Sequence, residues 1–243
     1  VKEQVPCVLF LHGIGQSKEF IDEIAKPFVG AGFALVTFDQ YTRGERRLED
    51  PSPLESAFAL RRRGAKTVIE TRRLIDYLQT RPDIAHDRIY LVGASYGAIM
   101  GSTAAAFDPR IRAVVLVYGG GNIKRLLNSK ASRVELGRWH GLVTAVSAWL
   151  LAPADPIHHV GKISPRPILF QNGTDDSLVP KEATEALFEA AREPKSQTWY
   201  NGDHIGEDPK TVEAALNEAI AWLRNHDALT PQAAAATADQ SAS

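Results

Sequence analysis

The chain has 243 residues, 44% of them hydrophobic, and a formal net charge of −1. That length suits one sizeable core, and the balanced charge argues against a nucleic-acid binder, which carries a basic excess. No apolar run approaches the roughly 18 residues of a membrane span, and the single cysteine, Cys7, leaves no intrachain disulfide and no cysteine-rich metal site.

The chain opens at Val1 and enters an apolar run almost at once, with no signal peptide in view. The expectation is that upstream residues have been removed. A soluble protein is expected, with the cytoplasm slightly favoured; compartment and oligomeric state are not given by the sequence. "VLFLHG" (8–13) is a predicted strand closing on glycine. "KEFIDEIAKPFVG" carries Phe20, Ile24 and Phe28 at helical spacing, and Pro27 should kink or shorten that helix. "FALVTFD" (33–39) is the next strand, followed by a loop rich in Arg, Glu and Pro from Gln40 to about Ser56. "TVIETRRLIDYLQT" (67–80) reads as a helix stopped by Pro82.

"RIYLVGAS" (88–95) is a strand, "YGAIMGSTAAAF" a helix of small residues, and "AVVLVYGGG" (113–121) a strand ending in glycines. "RPILFQNG" (166–173), "KEATEALFEAA" (181–191), "SQTWYNG" (196–202) and "TVEAALNEAIAWLRNH" (211–226) continue the alternation. The strands are apolar throughout, which suits parallel strands covered on both faces. The prediction is therefore an α/β chain: one domain over 1–226, a mostly parallel, doubly wound sheet with helices on both faces. Residues 122–160 break the rhythm as a short helical cap-like insertion, and 227–243 form a tail with nothing to pack, expected to be disordered.

"GASYG", Gly93 to Gly97, fits G-x-S-x-G between a strand and a helix, the context that lifts a serine to the top of a sheet on a strained turn. The plainer reading is a glycine-rich turn in a non-catalytic domain. A serine nucleophile needs a histidine base held by an acid. Of the five histidines after Ser95, His204 lies in a loop between a strand and the last helix, from which it could reach back over the sheet. His158 and His159 lie in the insertion and read as surface or cap residues. His226 ends a helix, where a cation is favoured, and His140 precedes the expected acid. That acid must come from the strand-end loop "TDDSLVP", which offers Asp175 and Asp176.

Here the chain resembles the α/β-hydrolase superfamily from about Pro6 to His226, through "LFLHGIG", "FDQYTRGER", "GASYG", "GTDDSLVP" and "GDH". Within it the chain is most similar to compact esterases related to dienelactone hydrolase and to the catalytic domain of prolyl oligopeptidases. The resemblance implies an α/β-hydrolase fold. Their acid loop reads G-x-x-D-x-x-V-P, which aligns Gly173, Asp176, Val179 and Pro180 and makes Asp176 the triad acid, with Asp175 facing solvent or capping the turn. It also implies an oxyanion hole from the N–H groups of Ile14 and Tyr96. His12 is given no catalytic role. Arg43, Arg46 and Arg47 either bind a substrate carboxylate or form a solvated loop with internal salt bridges.

There are departures. Extra strands common before the "HG" strand are absent, so the sheet is short at one edge or the chain is a fragment. No propeller repeats accompany the chain, and serine stands where dienelactone hydrolases use cysteine. The activity implied is a serine carboxylesterase acting on a small-molecule ester through Ser95, His204 and Asp176. The alternatives are a peptidase or amidase with the same triad, and a non-catalytic ligand binder on this scaffold. No metal-ligand spacing and no G-x-G-x-x-G appears, so neither metal nor cofactor is expected. In the insertion, Leu142, Val146 and Trp149 share a helical face, with Trp139 a turn earlier. This stripe either packs the insertion onto the domain or, with Tyr118, walls a small pocket that favours acyl chains of about two to six carbons; an insertion there is expected to overhang Ser95.

Overall fold

The structure, a computed structural model, describes residues 4–206 and 208–228. The apolar runs form β1 (Val5–Leu11), β2 (Ala34–Val36), β3 (Ile84–Ala94), β4 (Ile111–Val117), β5 (Ile168–Gly173) and β6 (Lys195–Tyr200). They make one six-stranded sheet in the order β2-β1-β3-β4-β5-β6, with every pairing parallel. The helices are α1 (Ile21–Gly30), α2 (Pro53–Leu78), α3 (Tyr96–Phe107), α4 (Ile123–Leu126), α5 (Lys130–Leu136), α6 (His140–Leu151), α7 (Lys181–Ala190) and α8 (Pro209–Ala228).

The strand period of two sorts the apolar residues into two cores. Cys7, Leu9 and Leu11 of β1, with Ile89 and Leu91 of β3, face α2, α3 and α7 through Ile75, Ala98, Ala104 and Leu187. Val8, Phe10, Tyr90 and Val92 face the other way, against Ile24 and Phe28 of α1 and Ala219, Ile220 and Leu223 of α8. Burying each large side chain contributes about 1.5–3 kcal/mol. Both faces need apolar residues, which is why the strands show no polar alternation.

Several boundaries differ from the sequence expectation, at α2, β2 and α8 among others. The helix expected at 67–80 starts at Pro53. Ser52 caps it, its hydroxyl accepting from the Glu55 N–H while the Glu55 carboxylate accepts from the Ser52 N–H, with Pro53 at the first helical position. The strand expected at 33–39 stops at Val36. Beyond it the Thr37 hydroxyl donates to the Phe10 carbonyl, and the buried Asp39 carboxylate accepts from the N–H groups of Lys18 and Glu45. Burial pushes the Asp39 carboxyl up, but those amides and the Lys18 ammonium outweigh it and hold it below the usual range. Helix α8 runs to Ala228, into the expected tail, and residues 229–243 lie outside the described residues. Pro27 is inside α1, which ends three residues later at Gly30.

Residues 122–160 are helical, as α4, α5, α6 and short 3-10 turns. Asp155, buried, clasps the two ends of this cap: its carboxylate accepts from the N–H groups of Asn122 (2.9 Å), Ile123 (2.7 Å) and Ile157 (3.2 Å). The turns at 156–162 pack on α3 and α7, and α4 packs on α7.

Candidate active site

The turn from β3 into α3 holds Ser95 at φ +54°, ψ −117°, a conformation that costs a non-glycine residue about 1–3 kcal/mol. Its neighbours leave no space for side chains. A Cβ at Gly97 would lie 1.9 Å from the Leu11 carbonyl oxygen, and one at Gly93 would lie 2.3 Å from the Gly97 oxygen. The Ser95 N–H donates to the Val117 carbonyl at 2.8 Å, fixing the turn to β4. The hydroxyl is thereby presented at the C-terminal edge of the sheet.

His204, 9% exposed, follows β6 and reaches that hydroxyl. Its Nε2 lies 2.8 Å from Ser95 Oγ and its Nδ1 lies 2.7 Å from Asp176 Oδ2. The other oxygen of Asp176 accepts the N–H groups of Leu178 (2.9 Å) and Val179 (2.7 Å), so the carboxylate has little freedom to rotate. Asp175 does not reach the histidine. It is exposed and accepts from the Thr174 hydroxyl at 2.8 Å.

Asp203 is a supporting residue that sequence reasoning did not single out. Its Oδ1 accepts from the Ser177 N–H (2.6 Å) and the His204 N–H (2.7 Å), tying the acid loop to the histidine loop. The Ser177 amide, with that of His204, holds the Asp203 carboxyl below the usual carboxylate range. The "GDH" tripeptide was the available signal.

The loop after β1 lies beside Ser95. Gln40 Nε2 donates to the His12 carbonyl (2.7 Å), and the Gly13 N–H donates to Gln16 Oε1 (2.9 Å). Those bonds set the turn and leave the Ile14 N–H without an acceptor among the described residues; the Tyr96 N–H, at the first position of α3, is likewise without one. His12 is buried, and burial pulls its imidazole below the ordinary value despite its bond to the Gly13 carbonyl.

Ser95, His204 and Ile14 open onto a cavity of about 950 Å³ between α1 and α8. Its walls are mostly apolar and include Phe20 just before α1, Ile24 and Phe28 of α1, and Val212, Leu216 and Ala219 of α8. Tyr118, Trp139 and Trp149, expected at the pocket, are not brought to this cavity, and neither is any other described residue of 122–160. Trp139 and Trp149 are 57% and 77% exposed on the cap, which rests on α3 and α7 instead of overhanging this opening. Tyr118 is fully buried with φ +54°, its ring edge-on to the His204 ring at 5.6 Å. Burial, with the nearby Asp176 charge, pushes its hydroxyl up to about 12, so it stays protonated beneath the histidine.

The other candidates lie elsewhere. His140 Nε2 contacts the Leu127 carbonyl inside the cap, His159 contacts the Pro153 carbonyl with His158 edge-on beside it, and His226 is in the last turn of α8. Arg46 forms a bidentate pair with Glu70. Arg43 is half-buried and Arg47 exposed. Among the described residues no group of three or more His, Cys, Asp or Glu could hold a metal.

The comparisons agree with this architecture. The family described as "Dienelactone hydrolase family" matches residues 1–226. Esterase YjfP of Escherichia coli (strain K12) is 25% identical, over 91% of this chain and 89% of the relative. Among solved structures, the α/β hydrolase GrgF from Penicillium sp. sh18 superposes with a TM-score of 0.69 at 20% identity, covering 92% of this chain and 91% of that one. Acetyl xylan esterase 1 from Thermoanaerobacterium sp. JW/SL YS485 gives 0.70 at 19% identity, over 93% and 76%. A match over nearly the whole described chain, on an all-parallel sheet with a serine elbow, leads to one conclusion: the chain belongs to the dienelactone hydrolase family, hydrolases built on the α/β-hydrolase fold.

Proposed function

We propose that the protein is a serine carboxylesterase that works through an acyl-enzyme. The observation that carries this reading is His204 bridging Ser95 Oγ at 2.8 Å and Asp176 Oδ2 at 2.7 Å. Ser95 Oγ adds to the ester carbonyl carbon as its proton passes to His204 Nε2. The carbonyl oxygen takes the negative charge and accepts the N–H groups of Ile14 and Tyr96, worth about 10²–10³ in rate per donor. The tetrahedral intermediate breaks its bond to the alkoxide, which leaves with the proton from Nε2. Water then gives a proton to Nε2 and adds to the acyl carbon; collapse frees the carboxylic acid and returns the proton to Ser95. Asp176 holds the Nδ1–H tautomer and stabilises the imidazolium.

The apolar cavity between α1 and α8 receives the acyl group. Its own walls, Phe20, Ile24 and Leu216, then set acyl length. A preference for two to six carbons was expected from a short cap, and that basis is gone because the cap does not line the cavity. At about 950 Å³ the cavity is at the upper end of small-ligand sites, and longer acyl chains fit the proposal.

The test is labelling with a fluorophosphonate followed by mass spectrometry. The expected adduct is on Ser95, with hydrolysis of nitrophenyl esters abolished in proportion to labelling and unaffected by a chelator. An adduct on another residue, or full hydrolysis by the labelled protein, overturns the assignment.

A further inference from the structure

Helix α6 is built inside out. Its sequence, "HGLVTAVSAWLL", contains no charged residue apart from the titratable His140. A helix this apolar is ordinarily buried. Here Leu142, Val146, Trp149 and Leu150, spaced i, i+4, i+7 and i+8, are all exposed, and Val143 beside them is too. Leu142 is 62% exposed. The polar residues turn the other way: Thr144 is buried, and His140 contacts the Leu127 carbonyl at 3.0 Å and the Thr144 hydroxyl at 3.5 Å. The main contacts of α6 are with α4, α5 and the flanking turns, so the outward stripe is not the surface that packs the cap.

The elements around the stripe carry a marked excess of positive charge. Residues 122–151 contain Lys124, Arg125, Lys130, Arg133 and Arg138 against one acid, Glu135, a formal +4 in a chain whose total is −1. All five basic residues are exposed. Among the described residues none of them forms an ion pair. Arg125 and Arg133 donate to backbone carbonyls, and the Arg138 guanidinium lies 4.9 Å from the centre of the exposed Trp139 ring.

We infer that the cap is a docking surface for an anionic lipid bilayer, with α6 lying in the plane of the headgroups. The apolar stripe enters the acyl boundary, Trp139 and Trp149 take the interfacial depth that tryptophan favours, and the basic rim meets the negative headgroups. The rim also separates this occupant from a second copy of the chain. Self-association through α6 would set two +4 segments against each other, with a single acid, Glu135, in each.

The test is flotation of the purified full chain with neutral phosphatidylcholine vesicles and with vesicles containing about one quarter phosphatidylglycerol. Binding is expected to the anionic vesicles and to weaken at raised salt. Leu142→Glu/Val146→Glu should abolish it, and Lys130→Ala/Arg133→Ala should weaken it by about fivefold per charge. The substituted side chains are exposed, so circular dichroism and hydrolysis of a soluble ester should be unchanged in both variants. Failure to bind either vesicle, equal binding to both, or binding retained by Leu142→Glu/Val146→Glu overturns the inference. So does a concentration-dependent dimer in sedimentation that Leu142→Glu/Val146→Glu dissolves, because the stripe would then belong to a second copy.

Discussion

Around Ser95 the large apolar side chains of α1 and α8 point inward at a cavity, while Ser95, His204 and Asp176 are each held by at least one short hydrogen bond. In the cap the arrangement is reversed, with leucine and tryptophan outward and His140 and Thr144 inward. Under the proposed function and the inferred docking, one region shields a reacting group from water and the other meets something outside the chain. Buried polar groups cost free energy unless paired, so the dense bonding at the acid and histidine loops marks where precise geometry is needed. The exposed stripe carries no such geometry. Under the two proposals the cavity side carries the chemistry and the cap side the contact, and each of the following measurements can break that division.

The largest effect is expected at Ser95. Ser95→Ala should lower kcat on a nitrophenyl ester by about 10⁴ or more. Ser95→Gly should be as inactive and at least as stable thermally, because glycine adopts φ +54° without the cost that serine bears. Substantial turnover by either variant would mean that the elbow is only a structural turn.

Next come the two adjacent acids. Asp176→Asn should favour the wrong histidine tautomer and cost about 10³–10⁴ in kcat, whereas Asp175→Asn, on an exposed side chain, should cost less than about tenfold. Steady-state kinetics on the two variants distinguishes them, and a reversed order would remove Asp176 from the site.

The strand-to-helix turn was legible in the sequence because the backbone itself writes it. A turn whose Cβ positions are filled by the Leu11 and Gly97 oxygens admits only glycine at 93 and 97, and that pattern survives in five letters. The small residues of α3 were legible for the same reason, since the helix packs closely on the sheet. The start of α2 was missed although "SPLE" carries a capping box and an N1 proline; the "RRRG" run after "SAFAL" interrupts the apolar periodicity. The cavity was illegible for a different reason. Ile24 and Leu216 line one cavity only after the sheet has brought α1 and α8 together, and no local pattern records that. Trp149 shows the limit of periodicity: spacing defines a helical face but not whether that face looks in or out.

Acyl-length selectivity separates the two regions at a smaller scale. Leu216→Trp, placed on the cavity wall, should lower kcat/KM for eight-carbon esters relative to acetate by about 10- to 200-fold, the range that pocket methylenes command. Trp149→Ala should leave the chain-length profile where it was. A profile that moves with Trp149 and ignores Leu216 would return the pocket to the cap and defeat the comparison.

The smallest effect should come from loosening the cap without touching the cavity. Asp155 accepts three backbone N–H groups, from Asn122, Ile123 and Ile157, and so holds both ends of the segment at one point. Asp155→Ala leaves amides that were bonded to a buried carboxylate without that partner, a loss of about 1–3 kcal/mol, which calorimetry should read as a drop in Tm. The cavity walls come from α1, α8, the strands between them and the loops at 13–16, 178 and 204–206, none of which that carboxylate hydrogen-bonds. Turnover of a soluble short ester below the new Tm should therefore change by less than about twofold, the scale of a substitution distant from the reacting groups. A tenfold loss of kcat with a modest change in Tm would mean that the clasp transmits cap position to Ser95, and that the two regions are one machine.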